Sequence, residues 1–138
     1  MNYWLIKLEP GTWSWDDQMK SPRKTTERDG VKNHQANNNL KAMAKGDRCF
    51  FYHSVNEKCV VGIVEVTKAW VADPEQPDTP WGYPCVKAIE KLPKAVTLAD
   101  VKQNPKLDAM VLVKNSRLSV QPVTANEWKL VCKMGGLK

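Results

Sequence analysis

The chain has 138 residues, of which 42% are hydrophobic and 26% charged, and its net charge is +6. This length and composition predict one globular domain over residues 1–138. They exclude a disordered chain and a protein with a dinucleotide-binding domain and a separate substrate domain. The apolar runs fall far short of the ~18 residues that span a membrane, and four irregularly spaced cysteines without an apolar leader predict reduced thiols, not a secreted disulfide scaffold.

The first part of the chain is predicted to form a strand, a short helix and a loop. Tyr3–Glu9 alternates between two faces, which indicates a strand, and the dipeptide Pro10-Gly11 ends it. Residues 12–19 have the composition of a short helix. Residues 20–32 show little periodicity and are predicted to be a basic loop.

A capped helix and a hairpin are predicted next. Asn33 can cap a helix from His34 to Lys45, and Gly46 suits the C′ position that ends it. Aromatic and β-branched residues predict strands at Arg48–Ser54 and Cys59–Lys68, joined by a short link as a hairpin.

The middle of the chain combines a glycine-bearing strand with a proline-rich loop. Gly62 predicts a bulge or a close backbone approach in the second hairpin strand. Residues 73–84 contain four prolines and are predicted to be a surface loop that presents Trp81 and Tyr83. Cys85–Lys91 has the composition of a further strand.

The C-terminal part is predicted to contain two helices around one strand. Thr97 can cap a short helix that Pro105 stops. Arg117–Gln121 alternates as a strand whose odd-numbered positions form a polar row. Thr124 and Glu127 form a capping box at the start of the last helix. About five strands with flanking helices predict an α+β fold around a curved sheet or a partly open barrel.

Nearly all of the excess positive charge lies in one segment. Residues 20–48 hold eight basic and three acidic side chains, a net charge of +5, whereas the remaining residues together carry +1. Such a segment is expected of a surface that contacts nucleic-acid phosphates, and a solvated lysine-rich surface is the alternative. We expect phosphate contacts from Lys20, Arg23, Lys24, Arg28 and Lys32.

The sequence offers little support for hydrolysis or metal binding. It contains no G-x-S-x-G motif and no phosphate-binding glycine motif, and its scattered cysteines and histidines favour hydrophobic strands over a zinc site. We expect no metal and no cofactor. Lys7 and Glu9 share one strand face, where they form a surface salt bridge or, inside a pocket, supply a base.

The chain contains six tryptophans. Those in or beside periodic segments are predicted to lie in the core: Trp4, Trp15, Trp70 and Trp128. Trp13 and Trp81 follow turns, and two interpretations stay open for them. They either stack on a nucleic-acid base or close the rim of the fold.

Four segments resemble one known family, in that family's order along the chain: YWLIKLEP at 3–10, GVKNHQANNNLKAM at 30–43, GDRCFFYHS at 46–54 and RLSVQPV at 117–123. They are similar to the EVE domain, a relative of the PUA and YTH domains, over residues 2–134. The resemblance implies a PUA-like, partly open β-barrel of five to six strands with flanking helices. It also implies a pocket for a modified nucleobase, such as methylated or hydroxymethylated cytosine or methylated adenine.

By position, the resemblance implies that a set of polar side chains lies near this pocket: Lys7, Glu9, Asn33, Gln35, Asn38, His53, Ser54, Arg117 and Ser119. Trp81 matches a loop tryptophan that is common in the family. Three residues depart from the family's pattern: Arg28 replaces an aromatic residue, His34 replaces a tyrosine and Asn37 replaces an arginine. These departures predict fewer aromatic and cationic contacts to the ligand.

We therefore expect a non-enzymatic reader that flips a modified base out of DNA or RNA and binds it. Two alternatives stay open: a hydrolase of a modified pyrimidine that uses Lys7 and Glu9, and a protein-interaction module built on the loop 73–84. For the reader we expect a monomeric, cytoplasmic bacterial protein, free or associated with the nucleoid. Its partner is nucleic acid, with neither a membrane nor a metal involved.

Overall fold

The computed structural model describes residues 1–27, 31–55, 57–115 and 117–137, and within these ranges the strands form one six-stranded sheet. The strands are β1 (Tyr3–Leu8), β2 (Thr25–Glu27), β3 (Arg48–His53), β4 (Cys59–Ala72), β5 (Gly82–Thr97) and β6 (Val120–Val123). Their order in the sheet is β2-β5-β4-β3-β1-β6. β1 and β3 are parallel, and the other neighbouring pairs are antiparallel.

Helices lie on both faces of this sheet: α1 (Trp15–Lys20), α2 (His34–Ala42), α3 (Leu98–Gln103), α4 (Val111–Lys114) and α5 (Ala125–Met134). The alternation of β1 divides the core in two. Ile6 packs with residues of α1 and α2, whereas Leu5 packs with residues of α3 and α5. On the second face Trp128 stacks on Phe50 with ring centroids 3.9 Å apart. No helix in the described ranges is long and apolar enough to cross a membrane.

Several local predictions are confirmed. The Asn33 side chain accepts a hydrogen bond from the Ala36 N–H at 2.9 Å and begins α2. Thr97 caps α3, and Thr124 forms its capping box with Glu127 at the start of α5. These caps were predictable because donor and acceptor lie within four residues of each other.

Gly62 is both a bulge and a point of close approach, as its position in the strand predicted. The pairing of β4 with β5 shifts register beside it. A Cβ atom at this position would lie 2.5 Å from the ring of Trp15, which leaves no room for any side chain. The predicted core positions Trp4, Trp15 and Trp128 are buried, while Trp70 is half-buried against the same core.

Two segments predicted to be loops contain strand. Residues 20–32 include a 3-10 turn (Pro22–Lys24) and β2, whose three residues pair with β5. β5 begins at Gly82, inside the predicted proline loop, so Pro84 is part of a strand. Pro84 falls at a register shift between the pairs Lys68–Cys85 and Val71–Tyr83, where its missing N–H is tolerated.

The predicted end of the second helix is wrong. α2 stops at Ala42 because Met43 is extended, with φ −69° and ψ 137°. The Asp47 carboxylate accepts a hydrogen bond from the Ala44 N–H at 3.0 Å and draws the chain into a turn instead. Gly46, with φ +97°, belongs to this turn and not to a helix C′ position.

The predicted strand at Arg117–Gln121 is also corrected, because β6 begins only at Val120. The pattern places Gln121 on a polar row of this strand, and the structure shows that its side chain is fully buried. Its Nε2 donates hydrogen bonds to the carbonyl oxygens of Asn115 and Leu118, at 3.1 and 2.8 Å. These two hydrogen bonds pair the buried amide group and stabilise the turn that leads into β6.

Candidate functional site

A cavity of about 470 Å³ opens at the end of the sheet where β1 and β3 finish. We call it the β1 cavity. It is lined by Lys7, Tyr52, Ser54, Val55, Lys58, Leu98, Lys102, Leu112, Arg117 and Ser119. Four of these residues, Lys7, Ser54, Arg117 and Ser119, are among those that the family resemblance placed near a pocket.

The topology explains why these distant residues meet. β1 and β3 are parallel, so their carboxyl ends lie at one edge, and the Ser54 N–H donates to the Leu8 carbonyl at 2.9 Å. The segment before β6 runs antiparallel to β1 and reaches the same edge. There the Lys7 N–H donates to the Ser119 carbonyl at 2.9 Å.

Burial alters the acid–base properties of this cavity. Lys7 and Tyr52 are register partners on β1 and β3, and the Lys7 ammonium lies 5.6 Å from the centre of the Tyr52 ring. Burial lowers the pKa of Lys7 below its usual value. Burial, with a smaller contribution from Cys59, raises the pKa of Tyr52 to about 12. Tyr52 is therefore a neutral phenol at physiological pH, and the charge of Lys7 is partly desolvated.

A second feature lies at the start of α2, where Lys32 and His34 lie beside Trp81 of the proline-rich loop 73–84. We call Lys32, His34 and Trp81 the Trp81 surface. The His34 and Trp81 rings lie 5.0 Å apart at an angle of 36°. The Lys32 ammonium is 5.7 Å from the centre of the Trp81 ring and also bonds to Gln76. Trp81 itself is half-buried.

Trp81 is held in place from both sides of the loop. Asn37 is buried, and its Nδ2 donates to the Pro80 carbonyl at 2.8 Å, while its Oδ1 accepts from the Trp70 indole at 3.2 Å. The Asp73 N–H donates to the Trp81 carbonyl at 3.0 Å and closes the loop. Asn37, where the family resemblance implies an arginine, thus positions the loop from the side of α2.

His53 has a structural setting at the end of β3. It is buried, and its Nε2 accepts a hydrogen bond from the Trp15 N–H at 3.0 Å. This bond leaves the ring proton on Nδ1, which lies 3.3 Å from a Glu57 carboxylate oxygen. Neither ring nitrogen points into the β1 cavity, since His53 is not among its lining residues.

Glu9 and Trp13 lie in the turn that follows β1. Glu9 is exposed, and its main-chain carbonyl accepts hydrogen bonds from the N–H groups of Thr12 and Trp13 at 2.9 and 2.8 Å. The Trp13 indole donates to Gln18 at 2.9 Å and packs against the core at its edge. Lys7 lines the β1 cavity, whereas Glu9 is not among its lining residues.

The remaining predicted residues are distributed over the surface. Asn33, Gln35 and Asn38 are exposed on α2, and Asn33 uses its Oδ1 as the helix cap. The basic side chains Lys20, Arg23, Lys24 and Lys32 are exposed as well. Arg28, which was predicted to bind phosphate, lies outside the described residues.

Sequence reasoning missed several residues of the β1 cavity. Lys58 and Lys102 belong to an inter-strand link and to α3, and each resembles an ordinary surface lysine when considered alone. Tyr52 follows the strand pattern and was not singled out. Only the sheet topology brings these side chains beside Lys7. Counting the charged residues of segment 20–48 could therefore not identify them. In the described ranges, no group of histidine, cysteine and acidic side chains is arranged to hold a metal ion.

Comparison with known proteins covers nearly the whole chain. A family model described as the EVE domain matches residues 2–134. Thymocyte nuclear protein 1 of Homo sapiens is 30% identical, in an alignment that covers 96% of this chain and 73% of that protein.

Two solved structures extend the comparison to the fold. A crystal structure of an Agrobacterium tumefaciens protein superposes with a TM-score of 0.95 at 48% identity, covering 99% of this chain and 94% of the other. A crystal structure of the human THYN1 protein in complex with DNA containing 5-methylcytosine superposes with a TM-score of 0.92 at 29% identity, covering 100% and 99%.

Proposed function

The chain belongs to the EVE domain family, and from this we propose that it is a non-enzymatic reader of a modified base in DNA. The observation that carries the proposal is the similarity, over the full chain, to the human THYN1 protein in complex with 5-methylcytosine-containing DNA. Methylated cytosine in DNA is therefore the first ligand to test. RNA, hydroxymethylated cytosine and methylated adenine are the alternatives that the same experiment separates.

In the proposed mechanism, the target base leaves the duplex stack, at a cost of a few kcal/mol. The Trp81 surface offers a replacement stacking partner. Trp81 is half-buried with part of its surface accessible, and its loop is held by Asn37 and Asp73, so little ordering is needed when a base arrives. Stacking of one base on an aromatic side chain contributes about 1–3 kcal/mol.

Recognition of the base edge would come from exposed amides beside the Trp81 surface. Gln35 and Asn38 lie on α2, which begins at His34, two residues after Lys32. An amide offers both donors and an acceptor, as reading a base edge requires. The exposed side chains Lys20, Arg23, Lys24 and Lys32 would contact backbone phosphates and provide affinity that does not depend on sequence.

The experiment measures binding of the wild type and of single variants to matched duplexes with and without one 5-methylcytosine. Gln35→Ala and Asn38→Ala should change the ratio of the two affinities, while Asn126→Ala, an exposed amide on α5, should leave that ratio unchanged. Equal effects of all three variants on both duplexes would reject α2 as the recognition element.

The same incubations test the enzymatic alternative. Mass spectrometry of the recovered oligonucleotide should show the modified base intact, and a converted base would make the protein an enzyme. Affinity should fall when Lys20, Lys24 and Lys32 are replaced by alanine. Unchanged binding to DNA by this triple variant would remove the basic segment from the interface.

A further inference from the structure

Four cationic side chains from four separate parts of the fold surround the β1 cavity. Lys7 comes from β1, Lys58 from the link before β4, Lys102 from α3 and Arg117 from the segment before β6. No carboxylate lines this cavity in the part of the chain that the structure describes. Glu57 lines the adjoining cleft, where it faces His53 Nδ1 at 3.3 Å.

Three of the four cations, Lys58, Lys102 and Arg117, are exposed, and Lys7 is half-buried. Like charges around one space repel each other, and screening by water is reduced where the side chains are buried. Burial removes part of the hydration of the Lys7 ammonium and lowers the pKa of this side chain. An anion in the cavity would reduce the repulsion among these side chains.

The donors around the cavity match a phosphate group. Lysine ammonium groups act as point charges, and the Arg117 guanidinium can form a two-bonded fork to phosphate oxygens. The hydroxyl groups of Ser54 and Ser119 add neutral donors. The volume of about 470 Å³ exceeds what one phosphate needs, and the apolar side chains of Leu98 and Leu112 can contact an attached sugar.

A base fits this cavity less well than a phosphate. Its one aromatic lining residue among the described positions is Tyr52, which is 3% exposed. A flipped base would therefore find almost no accessible aromatic face in this cavity. Trp81 has a lysine and a histidine beside its ring, but it is only half-buried and keeps more of its side chain accessible.

We propose that the β1 cavity binds an internal backbone phosphate of the DNA strand whose base is read. This inference rests on the proposed function and adds a phosphate contact outside the basic segment 20–48. Among residues that the family resemblance placed near a base pocket, it assigns Lys7, Ser54, Arg117 and Ser119 to the backbone instead.

The first test uses inorganic phosphate and needs no DNA. Titration of the full-length protein, followed by NMR, should shift the backbone amide signals of Lys7, Ser54 and Ser119. The double variant Lys102→Gln, Arg117→Gln should lose these shifts. Lys129→Gln, an exposed lysine on α5 outside the cavity, should retain them. Unshifted signals in the wild type, or undiminished shifts in the double variant, would overturn the proposal.

The second test measures how salt weakens binding to a duplex containing 5-methylcytosine. Loss of one phosphate contact should reduce the slope of log K against log salt by about 0.9 in the double variant and not in Lys129→Gln. The preference for the modified base should remain. Duplexes with and without 5′-phosphate groups should behave alike, because the bound phosphate is internal.

The outcomes separate this inference from the proposed function. A DNA-binding protein whose double variant keeps the wild-type slope would overturn the cavity assignment alone. A slope change seen only with 5′-phosphorylated duplexes would overturn the internal phosphate in favour of a terminal one. Phosphate-induced shifts without any DNA binding by the wild type would overturn both proposals. Melting temperatures of all variants establish that they are folded.

Discussion

Replacement of Trp81 by alanine tests whether its indole stacks on the extruded base. The ring lies 5.0 Å from the His34 ring and 5.7 Å from the Lys32 ammonium, at a half-buried position on a loop that a main-chain hydrogen bond also holds. Loss of one stacking partner costs about 1–3 kcal/mol, which corresponds to an affinity loss of about 5- to 150-fold. The loss should be equal for modified and unmodified strands, because every base has a π-face.

The assay is a fluorescence anisotropy titration of matched duplexes with the wild type, Trp81→Ala and Trp81→Phe. The phenylalanine variant keeps an aromatic face and should lose less affinity than the alanine variant. The Asp73 N–H bonds to the main-chain carbonyl of Trp81, so both variants should retain the loop and nearly the wild-type melting temperature. Unchanged affinity in Trp81→Ala, or a loss confined to the modified duplex, would refute sequence-independent stacking.

Three further changes test how the structure supports this site. Asn37→Ala removes a buried amide that bonds to the Pro80 carbonyl at 2.8 Å; it should cost about 1–3 kcal/mol in thermal unfolding and weaken DNA binding although Trp81 is intact. Gly62→Ala places a Cβ 2.5 Å from the Trp15 ring, so urea unfolding should show a loss of about 1–3 kcal/mol. Burial alone would raise the pKa of Asp47, but hydrogen bonds from two backbone N–H groups and one indole outweigh it, so the pKa is lowered. Its stabilisation is present above the unfolded pKa of about 3.9 and lost as pH falls through the folded pKa, and Asp47→Asn should flatten this part of the stability profile.

The local parts of the fold were predictable from sequence, and the long-range parts were not. The caps at Thr97 and Thr124 depend on residues within one helical turn. The strand β1 was predictable from the alternation of its own residues. β2 was missed because three residues carry no periodic signal, and its existence depends on pairing with β5. The family resemblance implied a PUA-like α+β fold, and the open six-stranded sheet with its flanking helices has that fold.

The candidate site likewise contains residues that the sequence indicates and residues that only the fold reveals. The family motifs named Lys7, Ser54, Arg117 and Ser119. The parallel pairing of β1 with β3 and the antiparallel pairing of β1 with β6 bring them to one cavity. Lys102 carries no motif and joins them only because α3 follows β5 back to the same edge. The role of Asn37 as a support for the proline loop was likewise invisible, since a buried polar side chain is recognised only from its partners.

The central claim is tested most directly by the ratio of affinities of the wild-type protein for one duplex with and without a single 5-methylcytosine. A buried methyl group contributes about 0.8 kcal/mol, or roughly fourfold, and rejection by shape can raise this to about 1–3 kcal/mol. We therefore predict a preference between fourfold and some tens-fold for the methylated duplex. Indistinguishable affinities for the methylated and plain duplexes, with no preference for another modified base in the same titration, would contradict the account.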